Sequence, residues 1–178
     1  HSRPITCSWN VMSPSPAPIT SSSGVQIIPT SGLLPPQSLH YIVVVGGLLH
    51  GDIDLPKPTL NYLKEAGRCG ISLIGVCTGS FALMRAGLMQ NKKICVSWFH
   101  YNDLINEFPD VTPIADQLFV IDGNRITCAG GAGAIDLGAW LIERHLGPSI
   151  AQKSLHIMLV DHARSPDTPQ PQPLTTEI

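Results

Sequence analysis

Two mainly apolar runs organise the chain. Tyr41–Val45 carries three valines and closes on Gly46-Gly47, and residues 71–76 close on Cys77. Runs of this kind mark strands covered on both faces, as in parallel sheets. Between them Leu60, Leu63 and Ala66 recur at helical steps behind Pro56 and Pro58. A first helical turn tolerates proline because its N–H has no partner to lose, and Gly67 or Gly70 can end the helix. Residues 80–88 read as the next helix and 94–96 as a short strand. Residues 98–108 read as a helix with Tyr101, Leu104, Ile105 and Phe108 at helical spacing, stopped by Pro109. Residues 117–121 and 125–128 flank Asp122-Gly123-Asn124, the pattern of a hairpin. Residues 134–146 form an apolar helix ended by Gly147, and Pro148 opens a last one to about residue 160. Upstream, 5–12 and 25–28 read as strands joined by a Pro/Ser-rich connection over 13–23.

Strand, helix, strand, helix with covered strands predicts an α/β fold: a doubly wound, mostly parallel sheet with helices on both faces. Ligands of such sheets bind beyond the carboxyl ends of the strands. Two of those ends are chemically unusual here, Gly46-Gly47 and Cys77.

At 178 residues the chain suits one domain. Its 43% hydrophobic and 13% charged residues exclude a disordered chain and imply extensive burial or a self-association surface. A net charge of −2 with one adjacent basic pair, Lys92-Lys93, does not suit a module that neutralises many phosphates. The longest apolar run, residues 41–49, falls short of the ~20 residues that a spanning helix needs. No signal-peptide pattern opens the sequence. The five cysteines (Cys7, Cys69, Cys77, Cys95, Cys128) are odd in number and contain no C-x-x-C pair. That argues against a disulfide framework or a structural zinc and for a reducing, cytoplasmic setting. No metal or cofactor is expected. His50, Asp52 and Asp54 have a spacing that only weakly suggests a metal and read as a solvated loop. Asp136 reads as fold support near a helix start, and 143–145 as a solvated helix end.

Cys77, in Gly75-Val76-Cys77-Thr78-Gly79-Ser80, falls where a strand turns sharply into a helix. This is the kind of turn that exposes a nucleophile at a sheet edge. The helix start places partial positive charge beside the sulfur. Gly46 and Gly47, on the neighbouring strand end, are expected to offer backbone N–H groups to an oxyanion or carboxylate. A free cysteine is as often a small buried hydrophobe, and position alone leaves both readings open for Cys77. For Cys69, Cys95 and Cys128 burial is expected.

The residues from Gly75 to Leu83 with Ala86-Gly87-Leu88 resemble the ThiJ/PfpI-type, class I glutamine amidotransferase-like domain, and more narrowly the GlxA-type regulators of the AraC family. The ordered series continues through Cys95-Val96-Ser97-Trp98, Phe108-Pro109, Asp116-Gln117-Leu118-Phe119-Val120, Thr127-Cys128-Ala129-Gly130-Gly131, Asp136-Leu137 and His145-Leu146-Gly147, and ends with Arg164 and the Pro-Gln-Pro tail. The resemblance implies a flavodoxin-like sandwich over residues 1–163, and a proline-rich linker over 164–178 leading to a helix-turn-helix domain absent from the sequence. It implies that the family's first strand and helix have no counterpart here, which leaves the acid partner of the cysteine unassigned.

Two departures bear on chemistry. Thr78 stands where catalytic relatives often carry histidine, and Ser97 stands where many regulators carry the histidine of a His-Trp pair. His100 is expected at the surface. The resemblance therefore implies a homodimeric sensor of a small metabolite, a nitrogenous compound in many relatives, with a site built from Gly46, Gly47, Cys77, Thr78, Ser97 and Trp98. DNA would be reached only through the appended domain. The other reading is a cysteine-dependent hydratase or hydrolase, since isonitrile hydratases of the superfamily also carry Cys-Thr-Gly; in that reading Cys77 is catalytic.

Overall fold

The computed structural model describes residues 7–49 and 55–171, so the His50/Asp52/Asp54 group lies outside the described residues. Six strands and five α-helices follow in chain order. They are β1 (Ile19–Thr20), β2 (Gln26–Ile27), β3 (Tyr41–Val45), α1 (Lys57–Arg68), β4 (Ser72–Val76), α2 (Gly79–Arg85), α3 (Tyr101–Glu107), β5 (Phe119–Asp122), β6 (Arg125–Cys128), α4 (Gly133–Leu146) and α5 (Pro148–Ile157). The main sheet has the order β3-β4-β6-β5, with β3, β4 and β6 parallel and β5 antiparallel to β6. β1 and β2 form a separate two-stranded ribbon.

The side-chain period of two sends alternate residues of each strand into different cores. Ile42 and Leu73 pack with Leu63, Ala66, Phe81, Leu83 and Leu104, from α1, α2 and α3. Tyr41 and Ile74 pack on the other face with Phe119, Ile126, Leu137 and Trp140, under α4. The doubly wound, mostly parallel architecture expected from the sequence is thus present.

Glycines end the first two helices in the same way. Gly70 and Gly87 have φ of +75° and +70°. At α1 the Ile71 N–H reaches the Ala66 carbonyl and the Gly70 N–H reaches Gly67; at α2 Leu88 reaches Leu83 and Gly87 reaches Met84. These paired bonds satisfy the last carbonyls of each helix and turn the chain back toward the sheet.

Five local expectations differ from the structure. β3, expected to be covered on both faces, is an edge strand, and Val43 and Val45 are 49% and 77% exposed. On that face the end of α4 reaches Tyr41, whose hydroxyl lies 2.8 Å from His145 Nε2, while Val43 and Val45 stay exposed. The described part of the 5–12 strand and the whole 94–96 strand shrink to single bridges, Met12 with Ser31 and Cys95 with Ile114. β1 lies inside the 13–23 connection. The 98–108 helix starts as a 3-10 turn over Trp98–His100 before becoming α3.

Candidate functional site

Cys77 follows β4 and precedes α2, with φ of +56°. This left-handed conformation carries a steric cost for a residue with a Cβ, and such outliers cluster at functional positions. The turn is held from three sides. The Cys77 N–H donates to the Cys128 carbonyl at 2.9 Å. The Ser80 hydroxyl donates to the Cys77 carbonyl at 2.8 Å. Glycines supply the remaining clearance: a Cβ on Gly75 would lie 2.8 Å from the Ser80 backbone, and one on Gly130 would lie 2.6 Å from Cys77 Cβ. A Cβ on Gly79 would overlap the Val44 carbonyl oxygen.

Gly46, Gly47, Cys77 and Thr78 come together as the sequence implied, but their polar groups serve one another. Gly46 N–H donates to the Val76 carbonyl at 3.0 Å. Gly47 N–H donates to Thr78 Oγ1 at 2.9 Å, and the Thr78 hydroxyl donates back to the Gly47 carbonyl at 2.8 Å. The two N–H groups expected to meet an oxyanion or carboxylate are therefore already engaged, that of Gly46 by the end of β4 and that of Gly47 by Thr78, which ties the end of β3 to the turn.

Ser97 and Trp98 lie on a separate segment, and no hydrogen bond or ring contact among the described residues joins either to Cys77 or Thr78. Ser97 Oγ accepts from the Phe99 N–H at 3.3 Å and so opens the 3-10 turn. Trp98 borders an open concavity of about 520 Å³ with Tyr101, Asn102 and residues 113–116. His100, expected at the surface, is mostly covered instead: its ring stands edge-on to Phe81 and its Nδ1 lies 2.8 Å from Asp103. Helical spacing alone misplaces it because the segment starts as a 3-10 turn, which rotates the ring toward α2.

The other thiols divide by environment. Cys95 and Cys128 are fully covered. Burial, with the Cys128 thiol as a neighbour, pushes the Cys95 thiol up to about 12, and burial also raises that of Cys128. Both are therefore protonated and unreactive at neutral pH. Cys69 is only partly covered and accepts from Gln37 Nε2 at 3.1 Å. Cys77 is likewise half-buried.

The tail was legible only as proline-rich. Its described part, residues 164–171, packs on the body. Buried Asp136 accepts the Arg164 backbone N–H at 2.7 Å and the Arg164 guanidinium at 2.7 and 3.1 Å. Gln170 is only 5% exposed and bonds to the segment carrying Ser97 and Trp98. Ser80 and Gly130 were visible within the motifs but carried no signal of their role at the turn. Gln170 was visible only within the Pro-Gln-Pro tail, whose composition reads as linker and gives no sign of docking.

Comparison with known proteins adds to this geometry. HTH-type transcriptional regulator CdhR of Pseudomonas aeruginosa is 32% identical over 144 residues, covering 80% of this chain and 42% of that protein. Isonitrile hydratase of Pseudomonas putida is 33% identical over 135 residues, covering 76% of this chain and 58% of the enzyme. The chain thus spans about half the length of these curated relatives. A crystal structure of an AraC family transcriptional regulator from Pseudomonas putida superimposes with a TM-score of 0.72 at 25% identity, covering 88% of this chain and 83% of that one. The DJ-1/PfpI family pattern matches residues 4–144, which include the sheet, the strained cysteine turn and its glycine cradle. The chain belongs to the DJ-1/PfpI family.

Proposed function

We propose that this chain is the small-molecule-sensing and dimerisation domain of an AraC-type transcriptional regulator, with Cys77 and Thr78 at the floor of the ligand site, Gly46 and Gly47 beside them, and Ser97 and Trp98 on its outer wall. DNA is bound by a helix-turn-helix unit outside these residues. The observation that carries the reading is the similarity to an HTH-type regulator over four-fifths of the chain, on a fold shared with an AraC family regulator. The site chemistry supports it. Thr78 is committed to Gly47, and among the described residues no hydrogen bond links Cys77 Sγ to a histidine or carboxylate that would serve as its base. Self-association is supported by an apolar groove of about 310 Å³ between α4 and α5, and by the neighbouring exposed Ile157, Met158 and Leu159.

A thermal-shift screen of small nitrogenous metabolites tests the reading. A ligand of the native state raises its stability by about 2.7 kcal/mol at one hundred times Kd. We expect such a ligand, and expect Cys77→Ala to weaken it. The second reading rests on the similarity to isonitrile hydratase. Turnover of an isonitrile by this chain, lost in Cys77→Ala, would replace sensing by catalysis. Light scattering showing only monomer would remove the dimer.

A further inference from the structure

We propose that residues 164–171 form a strap with Gln170 as its clasp, and that the seated clasp positions the wall carrying Ser97 and Trp98, so that strap and wall open and close as one unit. Gln170 is thereby a positioning residue of the candidate site.

The strap is a poor candidate for chance packing. Pro166, Pro169 and Pro171 have no N–H to donate, so the segment cannot form a regular ladder and leans on side chains as well as a few backbone bonds. Two side chains hold it, near its two ends. Arg164 is clamped by Asp136 of α4, which is 3% exposed. Between the ends, the Pro166 carbonyl accepts the Leu118 N–H at 2.9 Å. At the far end the Gln170 amide uses both its donor hydrogens and its acceptor. Nε2 donates to the carbonyls of Val96 at 2.9 Å and Gln117 at 2.7 Å. Oε1 accepts the Trp98 N–H at 2.9 Å. The Gln170 N–H donates to the Asp116 carbonyl at 3.3 Å.

The position of that amide explains its importance. The segments around 95 and 114 are joined directly, through Ile114 N–H to the Ile94 carbonyl at 2.8 Å and Val96 N–H to the Ile114 carbonyl at 3.0 Å. Beyond Val96 the two segments are bridged by Gln170, which takes the place of the missing ladder. Withdrawing it strands the buried Val96 carbonyl, takes away the partner of the Trp98 N–H, and leaves the Gln117 carbonyl with the Cys95 thiol alone; leaving a buried group such as the Val96 carbonyl unsatisfied is costly. The wall therefore cannot keep its geometry with the strap gone, and the strap loses its clasp if the wall moves. Coupling of this kind is reciprocal.

The inference deepens the sensing reading, because it makes the strap the route by which a change at Ser97 and Trp98 reaches whatever follows Pro171. Its physical core, the coupling, is measured without a ligand. Amide hydrogen exchange is followed residue by residue at Trp98 and Leu118 in the 178-residue chain, in wild type, Gln170→Met and Arg164→Met. Arg164→Met alters no group at the wall, yet we expect it to speed exchange at Trp98 by roughly tenfold, the change that loss of a charge-assisted anchor produces in an opening equilibrium. Gln170→Met is expected to speed exchange at Leu118 to a similar extent. If Arg164→Met leaves Trp98 within about twofold of wild type while Leu118 speeds up by the expected amount, the two ends move independently and the proposal is overturned. Should Gln170→Met fail to fold, the Arg164→Met arm decides alone, since that side chain is partly exposed. Failure of the sensing reading shows separately, as a screen without any stabilising metabolite.

Discussion

The cysteine turn and the strap are both held against the body, but by opposite means. At the turn, backbone packs on backbone, and four glycines (Gly46, Gly75, Gly79 and Gly130) leave no space for a Cβ. At the strap, a few side-chain hydrogen bonds hold a segment that has little backbone bonding of its own. Steric exclusion gives a site one shape, because close-packed interiors respond to even a methyl group. Polar anchoring gives a segment two states, seated or free, separated by a few bonds. A ligand site needs the first property, and a device that reports on it needs the second.

Substitutions can break this contrast. Gly79→Ala drives a methyl group into the Val44 carbonyl, and we expect it to cost roughly 4 kcal/mol or more or to prevent folding, as read by circular dichroism and expression of soluble chain. Asp136→Asn, which weakens the charge-assisted anchor, should cost about 2 kcal/mol in denaturant unfolding, with the sheet intact by far-UV circular dichroism. Thr78→Val keeps the shape but removes both bonds to exposed Gly47; a loss of about 1 kcal/mol is expected, together with faster exchange of the Gly47 amide. The smallest change sharpens the comparison. Cys77→Gly relieves the positive φ, and we expect it to exceed Cys77→Ala in stability by about 1 kcal/mol in matched thermal melts. Equal melts would mean that the turn stores no strain.

Much of the turn was legible because its causes are local. A covered strand, then Gly-Val-Cys-Thr-Gly-Ser, forces a tight reversal, and the structure puts Cys77 between β4 and α2. The edge position of β3 was not legible, since an apolar run records the hydrophobicity of its residues and not whether a neighbour arrives. Thr78 was legible as a departure from catalytic relatives, but its bonds to Gly47 depend on how close two strand ends approach. The strap was illegible for a stronger reason. Its composition reports that it cannot build a core, whereas its docking depends on carbonyls at Val96 and Gln117, far away in sequence. His100 was misplaced for a similar reason, because its neighbour Phe81 belongs to another helix.

The contact between Gly130 and Cys77 also constrains how this sequence can change with time. A Cβ at residue 130 would lie 3.2 Å from the Cys77 sulfur and closer still to its Cβ, on a backbone with φ of +89°. Neither position can be varied without regard to the other. Losing the side chain at 77 removes one obstacle to a larger residue at 130, so the effects of changes at the two sites are not additive. A lineage that fills position 130 is thereby steered toward giving up its thiol, and one that keeps the thiol is held to glycine 53 residues further along the chain.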